Sequence, residues 1–87
     1  MKMIIVIVND SDANTVTQAL TAAEFRVTRI ASTGGFLRNG VVTLLTGVED
    51  DRVEAGIGVV REALRENGAE RKRATLFVVP VQHFKQV

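Results

Sequence analysis

Cysteine is absent from these 87 residues, and the only aromatic side chains are four phenylalanines. Without a thiol there is no disulfide, no thiolate zinc site and no cysteine nucleophile. The absence fits a cytoplasmic location, which we take as the expectation. Charge of one sign is also lacking: 11 basic residues stand against 10 acidic ones, a net of +1. Nonspecific nucleic-acid binding needs a clustered basic excess, so DNA and RNA are not expected partners. Histidine occurs once, as His83, with no second ligand at a metal spacing. Long apolar runs are missing too. The opening Met1-Lys-Met-Ile-Ile-Val-Ile-Val run stops at Asn9-Asp10 after about six apolar residues, short of a signal-peptide core. Nothing approaches the roughly 20 apolar residues that cross a bilayer, and no membrane insertion is expected.

What the chain does have is aliphatic bulk, 46% hydrophobic residues in a short sequence. A domain of this size buries only about 60–65% of its unfolded surface. That much apolar surface exceeds what a monomer hides, so an oligomer is expected.

Residues 4–8 form a continuous β-branched run, read as a strand buried on both faces. Residues 9–12 then supply helix-starting side chains, and Ala13, Val16, Leu20 and Ala23 recur at helical spacing, with Ala19 and Ala22 filling in. A second strand is expected from about Phe25 to Ala31, with Arg26 and Thr28 on one face and Phe25 and Val27 on the other. Residues 41–48 are again strongly β-forming. Asp51 followed by Glu54 reads as a capping-box analogue opening a second helix. Val53, Ile57, Val60 and Leu64 form that helix's expected buried stripe, and Asn67-Gly68 its end. Gly56 and Gly58 are unusual inside it, each costing about 1 kcal/mol against alanine. Residues 74–79 form the last strand, closed or put at an edge by Pro80, the one proline. Phe84 is an apolar anchor in an irregular tail.

The order β-α-β-β-α-β predicts an α+β, ferredoxin-like fold, a single domain over residues 1–87. Two helices would cover one face of a four-stranded antiparallel sheet. The outer face would also be apolar, because the first and last strands do not alternate. Its simplest cover is the same face of other copies, packed as a trimer.

Between the second and third strands lies Ser32 and then Thr33-Gly34-Gly35-Phe36-Leu37-Arg38-Asn39-Gly40. Three glycines open backbone conformations closed to other residues, and Phe36 and Leu37 stand where a solvated turn would carry polar groups. One reading is a ligand-binding loop; the other is a wide turn whose phenylalanine plugs the core. Arg26, Thr28, glycine amides able to form an anion nest and the Phe36 ring make a kit suited to a nucleotide. The plain alternative for Arg26 is a surface salt bridge, with Glu24 at hand. The carboxylate pairs Asp10/Asp12 and Asp50/Asp51 stand where helices begin and suit the helix dipole. Ser11 and Ser32 have no histidine nearby. No acid–base pair suggests catalysis, and an enzyme is not expected.

The chain resembles the cyclic-di-AMP receptor proteins of the PII-like family. The resemblance runs through Met1-Lys-Met-Ile-Ile, Phe25-Arg26-x-Thr28, Thr33-Gly-Gly-Phe-Leu-Arg38, Gly47-Val-x-Asp-Asp-Arg-Val53 and Thr75-x-Phe-Val-x-Pro-Val81. It implies a PII-like homotrimer without enzymatic activity, binding cyclic di-AMP between subunits and signalling to an unidentified downstream protein. It also implies no cofactor, and ligand contacts at Arg26, Thr28, Gly35, Phe36, Leu37, Gly47, Phe77 and Gln86. Where the family has asparagine, this chain has Glu24 and Val41; where the family has a long loop before the last strand, residues 67–73 are all that remain. Two other readings stay open beside it: a trimer binding another adenine nucleotide or small anion, and a ligand-free interaction trimer.

Overall fold

A computed structural model of the chain describes residues 1–31, 40–65, 74–83, 85 and 87. The β-branched run at the start becomes β1 (Lys2–Asn9), followed by α1 (Asp10–Ala22), β2 (Thr28–Ala31), β3 (Val41–Val48), a single 3-10 turn (Asp50–Arg52), α2 (Val53–Arg65) and β4 (Ala74–Pro80). The four strands form one antiparallel sheet in the order β2-β3-β1-β4. This is the ferredoxin-like α+β arrangement. The strand with the densest β-branched sequence, β1, has a neighbour on each side, and Pro80 falls on an edge strand, where a missing N–H is tolerated.

The pleat sends alternate side chains to opposite faces. Ile4, Val6 and Val8 of β1 and Val42, Leu44 and Val48 of β3 are buried on the helix side. They meet Ala13, Val16 and Leu20 of α1 and Val60 and Ala63 of α2, with Phe25 completing the core. The α1 stripe is as expected. The α2 stripe is rotated: Gly56, Val60 and Ala63 are its buried residues, while Val53, Ile57 and Leu64 are half-buried. Gly56 faces the sheet because the space has no room for more, since a Cβ there would come within 2.9 Å of Ile4 Cδ1. Gly58 has nothing within 4 Å of its Cβ position, and no packing reason for it is seen.

Two local expectations need correction. The ladder of β2 begins only at Thr28, although the inside–outside alternation of residues 25–28 holds, with Phe25 buried and Arg26 exposed. Asp51 does not cap α2, because the 3-10 turn carries the chain into the helix and Asp51 lies within it. Helix α1 likewise starts without a side-chain cap bond from Asn9. Its Asp10 N–H donates instead to the Gly40 carbonyl at 2.6 Å, from a glycine in the left-handed region (φ +84°). The proposed helix end at Asn67-Gly68, the glycine loop at residues 33–39 and the Phe84 anchor lie outside the described residues.

The C-terminus of α1 determines how the chain enters the site. Glu24 N–H donates to the Thr21 carbonyl at 3.0 Å and Phe25 N–H to the Leu20 carbonyl at 2.9 Å, the paired bonds of a Schellman motif. The motif requires a left-handed residue, and that residue is Glu24, at φ +69°. Phe25 and Leu20 are both buried, which supplies the apolar contact that accompanies the motif. A side chain in this conformation costs roughly 1–2 kcal/mol, against which glycine loses part of the gain as unfolded-chain entropy. Glu24→Gly is therefore expected to stabilise the protein by about 0.5–1 kcal/mol. A lower urea midpoint for the variant would show that Glu24 makes a contact worth more than the strain.

Candidate ligand-binding site

The Schellman turn aims residues 24–26 at the end of the sheet where β2 begins and β3 finishes. There Gly47 and Arg26 border one open cavity of about 280 Å³. Phe25 and Arg52 form another part of its lining, with Met1 and Glu49 nearby. A Cβ at Gly47 would lie 3.3 Å from Met1 Cε, the far end of a flexible and exposed side chain that can give way, so sterics alone do not require glycine there. Arg26 is exposed and makes no ion pair or hydrogen bond with the described residues, so the simple Glu24–Arg26 salt bridge does not form.

Thr28 lies on the helix-free face, opposite Leu45 in the register, and is not among the residues that line the cavity. Phe77 occupies the same face at the opposite edge. The lateral row runs Thr28, Leu45, Ile5, Phe77, one residue from each strand. At 4.7–4.9 Å per strand, Thr28 and Phe77 are roughly 14 Å apart across the sheet. The fold thus puts Arg26 and Gly47 on one cavity, with Thr28 on the adjoining edge strand, and leaves Phe77, 51% exposed, on the opposite edge strand. Gly35, Phe36, Leu37 and Gln86 lie outside the described residues.

Sequence reasoning missed Arg52. Its guanidinium carbon lies 4.4 Å from the centroid of the Phe25 ring, and Nη2 donates to the Ala23 carbonyl at 3.4 Å. The signal for it was present in the Gly47-Val-x-Asp-Asp-Arg-Val53 stretch, but spacing alone does not show which core ring an arginine covers. Two of the helix-start carboxylates are engaged by cations. Asp10 accepts from Arg29 at 3.1 Å, and Asp50 accepts from the Met1 amine at 3.1 Å with Lys2 Nζ at 3.7 Å. No cluster of metal-ligating side chains occurs among the described residues.

The cyclic-di-AMP receptor family model matches residues 1–73. The chain belongs to the cyclic-di-AMP receptor family. Among solved structures it is similar to the crystal structure of a functionally unknown protein from Pediococcus pentosaceus ATCC 25745, with a TM-score of 0.77 and 29% identity. That match covers 99% of this chain and 96% of the other. Membership in this receptor family supports a ligand-binding role in PII-like signalling. No helix among the described residues is long and apolar enough to cross a membrane.

In this receptor-family chain the N-terminal residue is tied to the turn that carries Arg52. The hydrogen bond from the Met1 amine, then the charges of Lys2 and of the amine itself, hold the Asp50 carboxyl below its ordinary pKa. A depressed folded-state pKa stabilises the fold above the unfolded-state value, and that stabilisation is lost as pH falls through the folded value. Asp50→Asn is expected to be less stable than the wild type at pH 7 in low salt. The gap should close as pH falls below the Asp50 pKa. Parallel denaturation series across that range check it, and a gap unaffected by pH would mean the tie contributes nothing.

Proposed function

We propose that the protein is a PII-like sensor that binds cyclic di-AMP in pockets between the subunits of a homotrimer. The observation that carries this reading is the helix-free face of the sheet. It presents Met3, Ile5, Ile7, Leu45 and Val79, flanked by Ile30 and Phe77, the last two 45% and 51% exposed. A monomer leaves this patch in water, and contiguous apolar surface of this kind marks an interaction site. The same face separates the site residues into two groups at opposite edges. One copy cannot close a pocket that contains both Arg26 and Phe77, whereas sheet-to-sheet packing in a ring sets one edge of a subunit against the other edge of its neighbour. Phe36 and Leu37 would hold an adenine, Thr28 and Gly47 would supply polar and backbone contacts, Arg26 would meet a phosphate, and Gln86 would reach in from the tail.

A second reading, another adenine nucleotide or a small anion, is favoured by Glu24 on the cavity wall and Val41 in β3, because the two positions where the resemblance places asparagine no longer carry an amide. Calorimetry with cyclic di-AMP, cyclic di-GMP, ATP and AMP separates the two. Selective binding of cyclic di-AMP at micromolar affinity or tighter, weakened by about 1–3 kcal/mol in Phe36→Ala if the ring stacks on a base, is the expected result. Preference for ATP or AMP would favour the second reading. Binding of none of them would leave an interaction trimer.

The assembly has its own test. Ile5→Glu places a charge at the centre of the apolar face without touching the helix-covered core. Sedimentation should then shift from trimer to monomer, with the melting transition of the monomer still cooperative. A wild-type protein that sediments as a monomer would remove the basis for an intersubunit pocket.

A further inference from the structure

We propose that Arg52 is a second phosphate-gripping residue of the cavity, held in position by stacking on Phe25. The inference deepens the cyclic-dinucleotide reading above and rests on it. Arg52 and Arg26 border the same cavity from different elements, one from the 3-10 turn and one from the segment before β2. A cyclic dinucleotide carries two phosphates, and two guanidiniums match that number.

The geometry around Arg52 suits such a role. A guanidinium laid over an aromatic face uses its flat side for the ring and keeps its in-plane N–H donors for other partners. Here the ring is Phe25, buried in the core and therefore rigid, at 4.4 Å from the guanidinium carbon. Of the five donors, one makes a long bond to the Ala23 carbonyl at 3.4 Å. Arg52 makes no ion pair with a carboxylate among the described residues, in contrast to Arg29, which is bound by both Asp10 and Asn14. A planar fork with fixed orientation and free donors is the arrangement that binds phosphate bidentately.

The remaining charges make the fork matter more. Glu24 and Glu49 also border the cavity, and neither is ion-paired with Arg26 or Arg52. The lining is thus near balance in formal charge, so a diffuse positive field cannot be what holds an anion. Direct contact with the guanidinium edges must do it. The αL backbone at Glu24 and the core position of Phe25 place both arginines relative to each other.

The test uses the full chain and its Arg52→Gln, Arg52→Lys and Arg26→Gln variants, titrated with cyclic di-AMP, ATP and inorganic pyrophosphate at several salt concentrations. Losing a charge-assisted hydrogen-bonding group should weaken cyclic di-AMP binding about ten- to a hundredfold in Arg52→Gln and make affinity less dependent on salt. Arg52→Lys keeps the charge and should restore the salt dependence but only part of the affinity. Thermal melts should be little changed, since a water-exposed stack contributes little. Where Arg52→Gln does not fold, Arg52→Lys with affinity equal to wild type overturns the proposal. So does Arg52→Gln binding as tightly as wild type with the same salt dependence, while Arg26→Gln loses affinity; that outcome leaves the receptor reading intact. Arg52-dependent binding of ATP or pyrophosphate without cyclic di-AMP binding supports the grip and overturns the cyclic-dinucleotide reading. Binding of no probe overturns both.

Discussion

Two helices can cover only one face of a four-stranded sheet, and the other properties of this protein follow from that imbalance. The covered face is packed tightly enough that α2 has a glycine at its closest approach, Gly56 against Ile4. The uncovered face is nearly as apolar as the covered one. Burial of apolar area is worth about 25 cal/mol per Å², and a face carrying Ile5, Ile7, Leu45 and Phe77 forgoes that stabilisation until another surface meets it. The proposed trimer is the assembly in which the same residues that leave the monomer incomplete become its contacts.

The same imbalance spreads the candidate binding residues. Because β1 is central, the strands that carry Thr28 and Phe77 are at opposite edges of the sheet. A site built from both must be composite, and a composite site couples ligand occupancy to subunit association. In a receptor family this is a useful physical property: a ligand that bridges subunits binds the assembled form better than the separate one, and differential affinity is what lets a ligand shift an equilibrium.

Around the cavity, local backbone geometry and charge are linked. The Schellman turn at the end of α1 buries Phe25 and exposes Arg26 in consecutive residues, and Phe25 then supports Arg52 from below. One strained residue, Glu24, therefore sets the direction of a core ring and of an arginine that is unpaired among the described residues, and that ring carries Arg52. Asparagine, which the resemblance places at this position in the family, is better suited than glutamate to the left-handed region, so the departure affects backbone strain as well as charge.

The element order, the β1 and β3 segments and the α1 stripe were legible in the sequence because hydrophobic periodicity records which face is buried. The period of two around residues 25–28 also gave the correct facing of Arg26, although the ladder starts later. The start of α2 was not legible: Asp51 and Glu54 match a capping-box spacing, but a 3-10 turn, closed by the Arg52 N–H on the Glu49 carbonyl, takes Asp51 in, and a side-chain spacing does not tell such a turn from a cap. The rotation of α2 onto Gly56, Val60 and Ala63 was hidden because Ile57 is more hydrophobic than Gly56, and only the closeness of Ile4 makes the smaller residue the buried one. The sequence by itself determined the fold class, the apolar excess and the identity of the receptor motif, all of which are properties of local pattern. The tertiary structure alone decided that Arg52 lies over Phe25 beside Arg26 and that Phe77 stands a sheet's width away from Thr28, because these are long-range distances that no sequence spacing encodes.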